Sequence, residues 1–347
     1  MDTWNVFLDT SIFVGLNYNF KNKRIETLIE LVEDELVNLY TTTITKNEGY
    51  NNIKKRVDHS RQFINQLKDG GSILRNTPEY EKIWDRKTII EAQRKLEESF
   101  KTFLEGAKVR EIPISSKGVI NIFNRYFESK PPFSQQKKTE FPDAFVLDSL
   151  ADWTKENKEK LYVVSSDSDM KNFCEEQDNL IYVDSLEKML DIIYQTEDVK
   201  YHVVQKLYDE YNSEFLGDVN GSIDQLNFDV SDIYGDVEVL DIEALDLSED
   251  PLVIGIQGNT VNIVFNVVIS YRASVTFLNE SNSVYDKETG EYIFTEYDSK
   301  VIEEIDRVPV EFELNFKNFQ SQDLDFTIEK LIINKGETIY LSLIEEY

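Results

Sequence analysis

The sequence predicts an α/β domain, a parallel sheet flanked by helices, followed by a second, antiparallel all-β domain. Three observations carry this. Short apolar runs alternate with helix-spaced apolar residues over positions 1–198. The period then drops to two: from Val261 to Phe277 every odd position is apolar or aromatic. Charge falls in blocks, with 19 Lys and Arg against 11 Asp and Glu over 51–138 and 9 against 33 from position 196 onward. The chain of 347 residues carries −29 overall, so a net +8 segment and a net −24 segment mark parts with different work.

In chain order, Val6-Phe7-Leu8 reads as a buried strand, and Ile25, Leu28, Ile29 and Val32 follow at helical spacing. Leu39 to Ile44 is β-branched enough for a second strand, running into a helix over Lys46–Lys55. Trp84 to Ala107 reads as one long helix, with Ile89, Leu96, Phe100 and Phe103 on a face and Gly106 as its stop. Pro142 opens a helix over Asp143–Trp153. Leu161–Val164 and Leu180–Val183 are further strands, the second leading to a helix over Ser185–Tyr194. Strands alternating with helices argue for a parallel sheet covered on both faces. Residues 199–235 read as a helix and an acidic linker, rich in Asp, Asn, Ser and Gly from 212. Residues 236–347 form the β domain, a sandwich or barrel, where Val310, Phe312, Leu314, Phe316 and then Ile339, Leu341, Leu343 repeat the alternation. Asp286–Gly290 and Asn334-Lys335-Gly336 supply its hairpin turns.

Composition narrows the function. One cysteine, Cys174, excludes an internal disulfide framework and a thiolate zinc cluster, and two histidines leave little for His-rich metal sites. No apolar run approaches the roughly 18 residues of a membrane helix, and Met1–Asn5 has neither the basic region nor the apolar stretch of a secretion signal. The expectation is a cytoplasmic protein with no membrane partner.

The chemistry lies in acids at strand ends. Asp9 follows the first strand directly, Glu48 enters the helix after the second, Asp143 opens a helix, and Asp167 and Asp169 follow the strand 161–164 through Ser165-Ser166. In an open parallel sheet the loops at the carboxyl ends of strands converge on one crevice, so Asp9, Glu48 and Asp167 can meet there. Packed carboxylates repel unless a cation lies between them. Oxygen-only ligands select Mg²⁺ or Mn²⁺ over zinc, and such sites serve displacement at phosphorus. Asp also caps helices, however, and the chain holds 66 acids. On the residues alone, a metal-holding site and a set of caps and solvated acids both stay open.

Val6-Phe7-Leu8-Asp9-Thr10-Ser11 resembles the opening strand of the PIN-domain (PilT N-terminus) nucleases. Thr43-Ile44-Thr45-Lys46-Asn47-Glu48 is similar to that family's second motif, Phe141-Pro142-Asp143-Ala144 to its third, Val163-Val164-Ser165-Ser166-Asp167-Ser168-Asp169 to its fourth, and Ile181–Glu187 to its closing strand and helix. The resemblance implies a metal-dependent nuclease, usually of RNA, with Asp9, Glu48, Asp143 and Asp167 as catalytic metal ligands, Asp169 as a fifth acid, and Thr10, Ser11 and Ser166 in support. The 95 positions between Glu48 and Asp143 exceed the spacing of small members and describe an enlarged variant with a basic helical insertion. A haloacid-dehalogenase-type phosphatase needs an Asp where Ser11 stands, and a von Willebrand-type module needs a Ser where Phe13 stands. A non-catalytic scaffold with a protein-binding β domain remains the alternative.

Lys54, Lys55, Arg56, Arg61, Arg125 and Lys138 are the candidates for holding substrate phosphates, against the plainer expectation of solvated helix faces. A strongly acidic β domain repels nucleic acid, which points it toward a protein partner, self-association or the basic insertion of its own chain. A solitary nuclease with an appended domain suggests a regulated cutter, such as a toxin or phage-defence effector, by analogy alone.

Overall fold

The computed structural model describes residues 3–78, 80, 83, 85–133, 140–197, 201–231, 235–247, 250–288, 291–317 and 326–343. The chain forms two compact units, Met1–Ile193 and Tyr194–Tyr347.

In the first unit, β1 (Trp4–Leu8), β2 (Val37–Thr42), β3 (Arg110–Ile112), β4 (Leu161–Val164) and β5 (Leu180–Val183) form a sheet of order β3-β2-β1-β4-β5. Every pairing is parallel. The central strands are apolar on both faces because helices cover both, and Val6, Phe7, Val163 and Val164 are fully buried. Helices α1 (Thr10–Gly15) and α2 (Lys23–Glu33) follow β1. A guanidinium buried on α2 is held by a carboxylate, Arg24 Nε lying 2.6 Å from Glu187 Oε1.

β2 turns directly into α3 (Thr43–Gly70), with Thr42 as N-cap accepting from Thr45 N at 3.1 Å. The second strand therefore ends two residues before the expected Ile44, and the helix runs 15 residues past the expected Lys55. α4 (Arg86–Gly106) packs against it, with Phe100 and Phe103 joining Phe13, Tyr18, Phe20 and Tyr50 in one aromatic layer. Gly49 is required there, because a Cβ at that position would lie 2.5 Å from the Phe100 ring. The basic segment is thus not helical throughout: it supplies β3, an edge strand of the sheet, before α5 (Val119–Glu128). α6 (Phe141–Asn157), α7 (Ser168–Cys174) and α8 (Leu186–Glu197) complete the unit. Leu147 and Leu150 of α6 pack on Phe7, Leu161 and Val163.

The second unit corrects two expectations. The first part of the stretch read as a linker, 212–222, is helical: α9 (Tyr201–Ser222) continues into it, with Tyr211 the described residue that departs from helical φ/ψ. The unit is a helix on a sheet rather than a sandwich or barrel. β7 (Gly235–Leu247), β8 (Leu252–Gln257), β9 (Thr260–Leu278), β12 (Tyr297–Phe316) and β13 (Phe326–Ile333) form an antiparallel sheet of order β13-β12-β9-β7, with β8 also on β9. Phe215 of α9 is buried against Phe265, Phe312 and Phe326, at 6.1, 5.0 and 6.0 Å between ring centroids. The Asn220 amide bonds both the N–H and the C=O of Ala244, at 2.8 and 3.0 Å, tying the helix to β7.

β10 (Val284–Asp286) and β11 (Glu291–Phe294) form a hairpin over the expected turn, of which residues 289–290 lie outside the described residues. Asn334-Lys335-Gly336 makes no hairpin. Its three left-handed residues send the chain from β13 to β14 (Ile339–Leu341), which pairs in parallel with β6 (Phe228–Val230). Among the described residues no helix is long and apolar enough to cross a membrane.

Candidate active site

Asp9, the first residue past β1, is buried at 6% exposure and its N–H donates to Val164 O on the neighbouring strand. Its carboxylate is held from two elements. Oδ2 accepts from Ser11 N at 3.1 Å, as the N-cap of α1, and from Ser165 Oγ at 3.0 Å, while Thr10 Oγ1 lies 3.5 Å from Oδ1. Ser165 also accepts the N–H of Asp167 at 3.0 Å. One buried hydroxyl thus ties the ends of β1 and β4 together and sets Asp9 and Asp167 in register.

Asp167 caps α7 by accepting the Asp169 N–H at 2.7 Å. Ser11 Oγ accepts the backbone N–H of Ser166 at 3.1 Å, so Ser166 contributes its backbone to the support. Ser165, which sequence reasoning passed over in favour of Ser166, is the residue that bonds Asp9. Its signal was its place: the first residue after a buried strand, two before an Asp.

Glu48 lies in the second turn of α3 and Asp143 in the first turn of α6. Burial, then the charges of Asp9 and Glu140, push the Glu48 carboxyl above its usual range, and Lys55 works in the opposite direction. Asp143 is pushed up to about 8, first by burial, then by a hydrogen bond with Glu140 and by the charges of Glu48 and Asp9. The charge of Asp9 therefore acts on acids of two other elements, Glu48 of α3 and Asp143 of α6, and Glu48 acts on Asp143. Glu140 was not foreseen; it stands three residues before Asp143, one helical turn away. Asp143 does not cap its helix, since Glu140 occupies the N-cap position and makes no side-chain capping bond.

The donors are all hard oxygens, which suits Mg²⁺ or Mn²⁺. The unneutralised repulsion on Glu48 and Asp143 is what a cation would relieve. Among the described residues, no three acidic, histidine or cysteine side chains stand as a ready-made cage. The fit is therefore one of charge and donor type, with Asp9, Glu48, Asp143 and Asp167 as the residues that would hold the ion.

A second shelf of polar groups lies beside Asp9. Asn17 and Tyr18, both left-handed at φ 50° and 55°, close α1. The buried Tyr18 hydroxyl donates to Gly49 O at 3.3 Å. Its pKa is pushed up to about 12, chiefly by burial and against a hydrogen bond with Asn52. On the same helix Lys54, Lys55 and Arg56 are exposed, and Arg56 donates to Asn17 Oδ1 at 3.1 Å. Arg61 lies 3.5 Å from Asp58 on its own helix.

Arg125 corrects an expectation: its guanidinium is consumed by the fold. It bonds Pro131 O and Glu176 Oε2, each at 2.7 Å, and lies 4.6 Å from the centre of the Phe173 ring. Lys138 lies outside the described residues.

Residues 6–170 match a family model described as PIN domain, a span that contains Asp9, Glu48, Asp143, Asp167 and Asp169. No curated protein and no solved structure matches the chain.

Proposed function

Because the first unit belongs to the PIN-domain family of metal-dependent nucleases, we propose that this chain is an endoribonuclease whose acid cluster is Asp9, Glu48, Asp143 and Asp167, with Asp169 beside it. The observation that supports this most is that the charge of Asp9, after β1, acts on Glu48 of α3 and on Asp143 of α6, and that of Glu48 on Asp143. RNA is chosen over DNA on the family's usual substrate.

In this reading Mg²⁺ or Mn²⁺ supplies Lewis acidity toward the scissile phosphate. The chain's own part is positional. Ser165 and the Ser11 N–H fix the Asp9 carboxylate, which keeps one donor oxygen aimed without rotamer freedom. Tyr18 anchors α1 to α3 through Gly49 O, and so sets the distance between Asp9 and Glu48. Lys54, Lys55 and Arg56 supply positive charge along α3, where phosphates flanking the cut would lie. We assign nucleic-acid binding to the first unit, since a net −24 over positions 196–347 repels phosphate. The second unit we assign to a protein partner or a second copy, in keeping with a regulated cutter.

The test incubates the full chain with labelled RNA and DNA single strands of one sequence, in Mg²⁺, in Mn²⁺ and in EDTA. RNA cut internally with metal and intact in EDTA is the expected result. DNA cut at the same rate would overturn the RNA assignment. No cleavage of either strand, with Mg²⁺ binding retained by calorimetry, would return the unit to a non-catalytic scaffold.

A further inference from the structure

Two exposed apolar surfaces, far apart in the sequence, carry opposite charge. β10 and β11 form a two-stranded sheet of their own, and such a hairpin is marginal in water until a further strand or a helix packs on it. Its base is built in advance: Asn279 N–H donates to Glu296 O at 2.8 Å, and Ser283 Oγ accepts the Glu296 N–H at 3.0 Å. Its apolar side chains face water, Ile293 and Phe294 at 73% and 56% exposure with Val284 and Tyr285 exposed beside them. Over 280–298 six acids stand against one lysine. On α3, Phe63 and Leu67 are exposed one turn apart, and Ile73 in the turn after the helix is 77% exposed. Over 54–75 six Lys and Arg stand against two Asp.

We propose that the acidic hairpin of one copy docks on the basic end of α3 in a second copy, and that two copies exchange this contact in a twofold dimer. Each surface supplies what the other lacks, an apolar stripe to cover and charge of the opposite sign. The occupant that the hairpin calls for is a basic helix with exposed apolar residues, and this chain carries one. A helix laid on the hairpin is also the layer that a two-stranded sheet needs. Nucleic acid fits neither contact: the hairpin's acids repel phosphate, and Leu67 and Ile73 offer no ring face to a base. Hairpin against hairpin would set acids on acids. The dimer names the second copy over another protein as the partner of the second unit, and it stands whether or not the chain cuts RNA.

The test is sedimentation velocity of the full chain from about 1 to 100 μM, at about 50 mM and about 500 mM salt, since screening should weaken the dimer. Phe294→Ser and Phe63→Ser should each raise its Kd roughly tenfold or more. Mixed in equal amounts, these two variants should dimerise better than either alone, because the mixed pair keeps one whole contact. Lys68→Glu with Arg75→Glu should also weaken the dimer, as should Glu288→Lys with Glu296→Lys, and the chain carrying all four should recover it. None of these six side chains is buried, so the variants fold, which circular dichroism checks.

A monomer at every concentration in low salt would overturn the proposal and give both surfaces to other partners. A dimer that Phe294→Ser and Phe63→Ser leave intact would overturn it too. A dimer weakened by the hairpin variants alone would pair hairpin with hairpin, against the proposal. Failure of the fourfold reversal to recover what either charge pair loses would remove α3 as the occupant. Absence of cleavage in Mg²⁺ and Mn²⁺ would strike the nuclease reading instead, and the sedimentation series would still decide the dimer.

Discussion

Both units bring carboxylates together, and by opposite routes. In the second unit Glu304 and Asp306 are two residues apart on β12, so the pleat alone puts them on one face. Tyr271 of β9 lies across them, its hydroxyl 2.9 Å from Glu304 Oε2 and 2.7 Å from Asp306 Oδ2. Burial and these two acceptors hold the Tyr271 hydroxyl protonated well above its ordinary range, so a donor always faces the pair. In the first unit Asp9, Glu48 and Asp143 come from three elements spread over 135 residues, and it takes the whole sheet to gather them. Between Glu48 and Asp143 the forces are burial and like charge, and both carboxyls are raised. A pair supplied with a donor is a finished structural feature. A set raised by burial and like charge is one whose strain a cation would relieve, as the proposed function requires.

That contrast breaks most sharply at Asp9. Asp9→Asn keeps the size of the side chain and its bonds to Ser11 N and Ser165, but removes the charge. Cleavage should fall by about a thousandfold or more, the scale lost when a group acting with others in one site is removed, while the melting temperature holds or rises. Near-wild-type cleavage would remove Asp9 from the site. Glu304→Gln in the second unit, measured alongside, should leave cleavage untouched.

The next largest effect is on stability and its pH dependence. In the unfolded chain an Asp titrates near ~3.9, and folding raises Asp143 to about 8. Between those values the folded state binds more protons, so metal-free stability should fall as pH rises from about 4 to 8. Asp143→Asn should flatten that slope and, at pH 8 in EDTA, melt higher by roughly 5 °C or more. Mg²⁺ should raise the wild-type melting temperature more than the variant's. A variant less stable than wild type at pH 8 without metal would mean the repulsion is not there.

A smaller loss probes what positions Glu48. Gly49→Ala would put a Cβ 2.5 Å from a Phe100 ring that is 1% exposed and packed among other aromatics. The ring has nowhere to go, and overpacking of this kind costs about 1–3 kcal/mol. Thermal melting should show the loss, and Phe100→Leu in the same chain should recover part of it. A Gly49→Ala chain melting like wild type would show that α3 and α4 part without cost.

Much of the first unit was legible because its signals are local. Val6–Leu8 and Leu161–Val164 are uninterrupted apolar runs, as strands buried on both faces must be, and the acids that follow them mark the crevice. β3 was not legible: Arg110-Glu111-Ile112 has no apolar run, and its pairing with β2 comes from the sheet edge it fills. Nor was α9 beyond Tyr211. Its Asp, Asn, Ser and Gly dilute helix propensity, and burial of Phe215 and Val219 at 1% and 0% exposure decides the matter. At the site, Asp9 and Glu48 announced themselves through strand ends, whereas Ser165 and Glu140 act only through neighbours that folding supplies. Arg125 shows the converse. Its charge was visible, but not the Glu176 and Phe173 that engage it.

The smallest prediction returns to the finished pair. Tyr271→Phe removes one hydroxyl and leaves Glu304 and Asp306 facing a ring with no donor. The phenylalanine keeps the contact with Phe228, at 4.9 Å between ring centroids in the native chain, so the packing is unchanged and the loss is that of the hydrogen bonds, about 1 kcal/mol. Cleavage should stay at the wild-type rate, because nothing in the acid cluster of the first unit depends on this bond. Melting curves, with an RNA cleavage assay beside them, make the check. A Tyr271→Phe chain that melts like the wild type would show that the hydroxyl does not hold the two acids, and the comparison between the two carboxylate groups would lose one of its sides.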